Sequence, residues 1–255
     1  MRFLIQLLLI GCILLPPGLL LAHDNHSDRP ALELYKPNYV TIDQKKADIK
    51  FQLSYRVKLA EYGRAWGVFF SHTHKAYWAI TSEESAPFRE HNFNPEVHIR
   101  WKNPESGLPL KHVQLGVEHE SSGVSGPASR SWNRVTGQTE WTINSKDPSI
   151  KGYLKLYLRG WLILDRDEEN NPDIEDHLGY GEVGISYTIH EELKLGGQVA
   201  LTFRQKSIMA EYGFKSKKSE YFYYLQYWNG RGEWLVDYKK DTNVLRAGIK
   251  FFVDD

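Results

Sequence analysis

Apolar residues recur at every second position along most of this 255-residue chain, and that period confines it to strands with one apolar and one polar face. Ile49, Phe51, Leu53, Tyr55, Val57 and Leu59 are separated by Lys50, Gln52, Ser54, Arg56 and Lys58. Leu154, Leu156, Leu158, Leu162 and Leu164 share one parity, as do Val183, Ile185, Tyr187 and Ile189, then Leu195, Val199, Leu201 and Phe203. Leu245, Ala247, Ile249, Phe251 and Val253 end the series, with Arg246 and Lys250 on the other face. The segments fall near 48–60, 65–80, 93–102, 112–121, 131–144, 151–164, 179–189, 193–204, 207–215, 219–229, 233–240 and 243–253. Most reach the ~9–11 residues that a tilted strand needs to cross a bilayer. The mature chain shows no helical period and no fixed-length repeat.

The connections differ in kind. Those near 61–64, 103–110, 145–150, 190–192, 216–218 and 241–242 are turn-like, whereas 82–92, 122–130 and 165–178 are long and polar. Short turns at one end and long loops at the other mark an outer-membrane barrel, and an even strand number leaves both termini on the short-turn, periplasmic side. Residues 1–22 read as a secretory signal: Arg2, an apolar run, then Leu20-Leu21-Ala22 as cleavage site. Leu9-Ile10-Gly11-Cys12 has the outline of a lipoprotein box, but apolar residues continue past Cys12. Residues 23–47 are an irregular periplasmic lead-in and 48–255 the barrel. Beyond the leader no apolar run approaches the ~18 residues of a membrane helix.

The polar parity carries Arg56, Arg100, Glu118, Lys155 and Arg159. These suit a wet exterior or a polar lumen equally, so parity leaves open a secreted β-sandwich or lipocalin-like barrel. Aromatic residues point to a membrane: Tyr55, Trp78, Trp101, Trp132, Trp141, Trp161, Tyr187, Tyr227 and Trp228 fall mainly toward strand ends, as in two interfacial girdles. The expected architecture is an all-β, 12-stranded antiparallel transmembrane β-barrel. With 32 basic and 32 acidic residues, the chain lacks the basic footprint of a nucleic-acid binder. Cys12, its single cysteine, lies in the leader, so the mature chain has no disulfides.

One stretch carries chemistry. His119 and Ser121 are two apart on a strand, hence on one face, and share the parity of Val113, Leu115 and Val117. Across the 122–130 loop, Asn133 shares the apolar parity of the next strand, so a hairpin can bring it beside His119. A serine hydroxyl is a weak nucleophile until an imidazole takes its proton, and the imidazole needs a third group to fix its tautomer and plane. An H-x-S pair alone is common. Polar groups on an apolar face are what call for an explanation.

The stretch H-E-S-S-G-V-S-G-P-A-S-R-S-W-N-R from His119 to Arg134 resembles the active-site hairpin of the outer-membrane phospholipase A family. Ser82 to Glu96 (S-E-E-S-A-P-F-R-E-H-N-F-N-P-E), Asn171 to Ile174 (N-P-D-I) and the arrangement of strands resemble it too. The resemblance implies a calcium-dependent, dimer-activated hydrolase of phospholipid acyl esters in the outer membrane. By it, Ser121 is the nucleophile, His119 the general base and Asn133 its orienting partner. The oxyanion donor is the backbone N–H of Gly123. The Ca²⁺ ligands are the Val124 carbonyl, the Ser129 hydroxyl and, from the partner of a homodimer, the Ser85 hydroxyl. All are oxygen donors of the kind hard cations take.

Three positions depart from the family pattern. Val124 stands where an Arg is usual, and Gly126 where an Asp occurs, which puts a second side-chain calcium site in doubt. His74 stands in place of an interface glutamine. Other features carry less. His72 and His74 form a two-histidine pair without further ligands. Asp165 to Asp173 has the look of a calcium loop but lacks the EF-hand spacing and reads as a solvated outer loop. Arg130 and Arg134 flank the site, open to a phosphate or lipopolysaccharide or to a plain interfacial role. A silent pore or structural barrel and a soluble β-domain are the alternatives from other classes.

Overall fold

Alternation drives the chain into one antiparallel sheet that closes on itself. The computed structural model describes residues 32–45, 48–81, 84–104, 108–144, 152–190, 193–201, 207–215 and 221–251, with the backbone alone along 189–201. Its strands are β1 (Leu32–Leu34), β2 (Asn38–Asp43), β3 (Ile49–Tyr62), β4 (Trp66–Trp78), β5 (Phe88–Lys102), β6 (Leu110–Ser121), β7 (Ser131–Asn144), β8 (Tyr153–Arg166), β9 (Gly181–His190), β10 (Leu193–Leu201), β11 (Ser207–Lys215), β12 (Phe222–Gly230) and β13 (Thr242–Phe251). From β2 to β13 each pairs with its neighbour in sequence, and β13 pairs back onto β2, from Arg246 opposite Asp43 to Phe251 opposite Asn38. The ring thus has twelve strands. The short β1 continues beyond β2 along β3, with Leu32 opposite Val57. A five-residue helix α1 (Ile174–Leu178) lies in the β8–β9 connection. Among the described residues no helix is long and apolar enough to cross a membrane.

The strand count matches the expectation, but one strand is different. Residues 233–240 form turns, and the twelfth strand is β2, drawn from the stretch read as lead-in. The backbone N–H groups of Leu235 and Val236 donate to the Glu90 carboxylate at 2.6 and 3.1 Å, not to a neighbouring strand.

The sheet is apolar outside and polar inside. Leu53, Leu59, Ile99, Leu115, Leu162 and Ile185 are exposed, while Lys50, Gln52, Arg56, Glu96, Arg100, Glu118, Arg134 and Arg159 are buried. Among the described strands the exposed apolar residues of this exterior run from β3 to β13, far beyond the few hundred Å² that soluble proteins tolerate. This overturns the soluble barrel. Tyr62 and Trp66, and Phe214 and Tyr223, stand exposed at the turn ends of their strands, as in an interfacial belt. Trp132 and Trp161 do not belong to it. They are buried with Ile174, Leu235 and Tyr238 in an apolar cluster. Trp228 follows the lumen-facing parity of Tyr224 and Gln226.

The lumen is filled rather than open. Lys50 and Arg246 both bind Glu233, at 2.9 and 2.6 Å. Lys50 also donates to Gln226 at 3.1 Å, and Lys250 binds Glu211 at 2.6 Å. The Tyr77 hydroxyl donates to the Glu233 carbonyl at 2.5 Å, which draws the 231–241 loop into the barrel. What remains is a cavity of 470 Å³ lined by residues such as Lys50, Tyr77, Arg159 and Lys250.

Candidate active site

Along β6 the lumen-facing residues are His112, Gln114 and Glu118, so Val117, His119 and Ser121 face outward. In the β6–β7 register His119 lies directly opposite Asn133, and Ser121 opposite Ser131. The His119 Nδ1 and Asn133 Oδ1 are 2.9 Å apart. Since an amide oxygen only accepts, Nδ1 carries the proton and Nε2 is left as the basic nitrogen. His119, Ser121 and Asn133 are each half-buried on the wall at the end of the barrel that bears the long connections.

The hairpin is held from inside by its alternate residues. Glu118 lies between the guanidinium groups of Arg134 and Arg159. Glu120 accepts from Arg134 at 2.8 Å and from the Trp132 indole at 3.0 Å. The Arg134 guanidinium lies 3.8 Å over the Trp132 ring. Arg134 is therefore a buried lumen group and offers nothing to a phosphate outside, contrary to the sequence reading. On the β5 side, Pro95 has no N–H, and the β5–β6 ladder has no pairs between Phe93–Ser121 and Glu96–Glu118. The Asn94 side chain donates to the His119 carbonyl at 2.8 Å instead. The F-N-P-E run thus supports the backbone under His119.

The 122–130 loop is closed at its base by the Ser122 N–H donating to the Arg130 carbonyl at 2.9 Å and the Arg130 N–H donating to Ser122 Oγ at 3.0 Å. Gly123 has φ +65°, and a Cβ there would meet the Phe93 ring at 2.6 Å and the His91 carbonyl at 2.9 Å. Among the described residues no acceptor takes the Gly123 N–H. Arg130 donates to the carbonyls of Pro127 and Ser129, at 2.8 and 2.7 Å. It is a staple of the loop. The Val124 carbonyl and Ser129 hydroxyl have no partner among the described residues. These neutral oxygens on one closed loop fit a hard cation that keeps much of its water. Ser85 stands exposed on the β4–β5 connection, beside Ala86 at φ +45°. That backbone, strained for a residue with a Cβ, is held by the Trp78 indole donating to the Ala86 carbonyl at 2.7 Å. Among the described residues no three His, Cys, Asp or Glu side chains form a metal cluster.

His74 packs on the outer wall. Its Nε2 lies 3.1 Å from His91 Nδ1, and its ring stacks on Phe93 at 4.8 Å.

Sequence reasoning missed the β8–β9 connection. Read as a solvated loop, it is folded onto the hairpin. Asn171, fully buried, accepts from the Ser131 N–H at 3.0 Å and donates to the Ser131 carbonyl at 3.1 Å. Asp167 binds its own turn, accepting from the N–H groups of Glu169 and Asn170 at 3.2 and 3.1 Å. Asp173 accepts from the Tyr238 hydroxyl at 2.5 Å and from Lys239 at 2.8 Å, joining this connection to the 231–241 loop. The signal lay in N-P-D-I, whose function is to clamp the residue facing Ser121.

The family profile described as Phospholipase A1 matches residues 18–251. A putative phospholipase A1 of Neisseria meningitidis is 31% identical over 82% of this chain and 55% of its own length. The phospholipase A1 of Klebsiella pneumoniae is 29% identical over 83% of this chain and 72% of its own. Among solved structures, the outer membrane phospholipase A of Escherichia coli superposes with a TM-score of 0.74 at 25% identity, covering 89% of this chain and 99% of that one. A Salmonella typhi outer membrane phospholipase, solved as a dimer with bound calcium, gives 0.75 at 25% identity, covering 93% and 96%. An E. coli active-site variant with an asparagine changed to alanine gives 0.73 at 25% identity, covering 93% and 96%. With its apolar wall, closed ring and hairpin site, the chain is a bacterial outer-membrane β-barrel and belongs to the phospholipase A1 family.

Proposed function

We propose that the chain is a calcium-dependent phospholipase that hydrolyses acyl esters of glycerophospholipids at both glycerol positions, and their lyso products, through Ser121, His119 and Asn133, and that it acts as a homodimer. The observation that carries this is the 2.9 Å His119–Asn133 hydrogen bond on a lipid-facing wall, beside Ser121. Polar groups are costly there without a function. The E. coli relative altered at an asparagine is described as an active-site mutant, which supports the role of Asn133.

Ser121 Oγ attacks the ester carbonyl carbon as its proton passes to His119 Nε2. The ring keeps its plane because Nδ1–H donates to Asn133 Oδ1. The Gly123 N–H faces the developing oxyanion. On collapse, His119 returns the proton to the departing alcohol oxygen and the acyl group stays on Ser121. Water then attacks with His119 again as base, releasing the fatty acid and restoring the hydroxyl. The Val124 carbonyl and the Ser129 hydroxyl, with a Ser85 hydroxyl from a second copy, would hold calcium, which when bound would supply positive charge and polarised water near the oxyanion. The calcium-bound Salmonella dimer supports both the cation and the second copy. Residues 1–22 are then a removed signal, the termini periplasmic, and the site lies at the outer leaflet. There it is kept from the phospholipid of the inner leaflet until membrane lipids are disturbed.

The test is fatty-acid release from phosphatidylcholine micelles by the refolded barrel, with calcium and with chelator, beside Ser121→Ala. We expect calcium-dependent release that Ser121→Ala reduces by ~10⁶, the scale of loss when a serine nucleophile is removed. No release by a folded dimer at saturating calcium would refute the proposal.

A further inference from the structure

An Asn in the third position leaves the imidazolium of His119 without a charged partner. The structure supplies one further along the same row. His119, Asn133 and Asp165 lie directly opposite one another across β6, β7 and β8. The Asn133 Nδ2 donates toward Asp165 Oδ2 at 3.5 Å, a long contact, while the Asn133 Oδ1 accepts from His119 on the other side.

A local irregularity puts Asp165 there. The β7–β8 register shifts between Asn133 and Arg134, so that Arg134 faces Ile163 but Asn133 faces Asp165. Residue Leu164 is the extra one. Without the shift Asp165 would keep the parity of Arg159 and Trp161, which point into the barrel. Bulges of this kind re-aim a side chain, and they concentrate next to active sites. Asp165 is exposed, and among the described residues it takes part in no ion pair. The charged groups around it point elsewhere. Glu118 and Glu120 both pair with Arg134 in the lumen, and Arg166 turns to Glu175 at 2.5 Å and to Glu168 at 3.4 Å. Phe93 and Pro95 on β5 bring no charge.

We infer that Asp165 is a positioning residue for the proposed triad, extending it to Ser121–His119–Asn133–Asp165. Its carboxylate accepts from the Asn133 NH₂, which fixes the amide with its oxygen toward His119. Its negative charge favours the imidazolium through that amide. Asp165 takes up no proton in this role and does not touch the ester. The inference rests on the triad reading, and the experiment separates the two.

Wild type, Asp165→Asn, Asp165→Ala, Asn133→Ala and the Asn133→Ala/Asp165→Ala pair are refolded and checked for the heat-modifiable mobility of a closed barrel. They are then assayed at saturating calcium across pH. We expect Asp165→Asn to lower kcat about threefold to tenfold at unchanged KM, the scale of one partly screened charge. The acid limb of its pH profile should move to lower pH, because the imidazolium has lost support. In the Asn133→Ala background, loss of Asp165 should cost less than twofold. An unmoved profile and rate in Asp165→Asn, or penalties that multiply fully in the pair, would overturn the inference. So would recovery of the Asp165 variants by excess calcium, which would make the carboxylate a metal ligand. A fluorophosphonate probe on folded wild type reports on the reading beneath. Failure to label Ser121 removes the triad itself, whereas labelling with a silent Asp165 removes only the fourth member.

Discussion

At the scale of single residues, the site depends on a backbone that tolerates one side chain and no more at particular points. Gly123 combines positive φ with a wall formed by the Phe93 ring and the His91 carbonyl. In Gly123→Ala the methyl group has to displace one or both, and the N–H proposed to meet the oxyanion moves with it. Kinetics should show kcat reduced by ~10²–10³, the worth of one oxyanion donor, while the barrel still shows heat-modifiable mobility. That His119, Ser121 and Asn133 share the outward face was legible in the spacing, because parity decides which side chains share a strand face, whereas the roles proposed for them came from the resemblance. Arg134 was misplaced by the same logic applied without parity. It is one residue beyond Asn133, so it faces the lumen, where Glu118 and Glu120 hold it. The Asn94 bond to the His119 carbonyl had no sequence signal beyond an Asn next to a Pro, and the Asp165 register shift had none.

At the scale of elements, the β6–β7 hairpin is stiffened from two directions: Glu118, Glu120 and Arg134 grip it within the lumen, and Asn171 clips the backbone of Ser131 from the β8–β9 connection. Asn171→Ala leaves the Ser131 N–H without its acceptor and takes away one of the two donors to the Ser131 carbonyl, the other being the Asp167 N–H at 3.0 Å. We expect about 1–3 kcal/mol less stability in urea unfolding, and a kcat loss larger than any change in KM, since Ser131 faces Ser121. Strand identity was legible wherever five or more residues alternate. It failed at two short stretches for a common physical reason. In β2, Val40 and Ile42 are the exposed apolar residues, too few for a period to stand out. In 233–240, Trp234, Leu235 and Val236 are consecutive apolar residues whose N–H groups find a carboxylate from β5. The loop lock beside them has a pH signature. Hydrogen bonds from Lys239, Tyr238 and His177 outweigh burial and hold the Asp173 carboxyl well below the usual range. A depressed carboxyl contributes stability that is complete above its unfolded value and disappears as pH falls through the folded one. Wild type should therefore exceed Asp173→Asn in thermal stability by a constant margin above about pH 4, the unfolded Asp value. The margin should shrink to nothing in stronger acid, read from the fluorescence of Trp132 and Trp161 beneath the lock.

At the scale of the whole molecule, the chain is inverted relative to a soluble protein, and its stability and its proposed chemistry occupy opposite faces of one sheet. The lumen carries the ion pairs and the plug, which argues against the pore alternative: Lys50, Arg246 and Glu233 cross the space that ions would have to pass. The outer wall carries the site, and the oxygens proposed for calcium sit on loops that take no part in closing the ring. Metal and fold should then separate cleanly. In a metalloprotein whose core is organised by its ion, a chelator unfolds the chain. Here the barrel hydrogen bonds run strand to strand whether or not calcium is bound. Adding chelator to the active dimer should abolish fatty-acid release and return the protein to monomers in sedimentation, while the folded band keeps its heat-modifiable mobility. Linkage sets the expected form: calcium held only by the dimer raises dimer affinity in proportion to 1 + [Ca²⁺]/Kd, so the gain keeps growing with concentration above the Kd. Serine-to-alanine changes at Ser85 and Ser129 should each weaken that dependence, because the two would hold the same ion from different copies. If Ser85→Ala dimerises and turns over with an unchanged calcium requirement, the cation does not bridge two barrels, and any dimer must be held by its apolar walls alone.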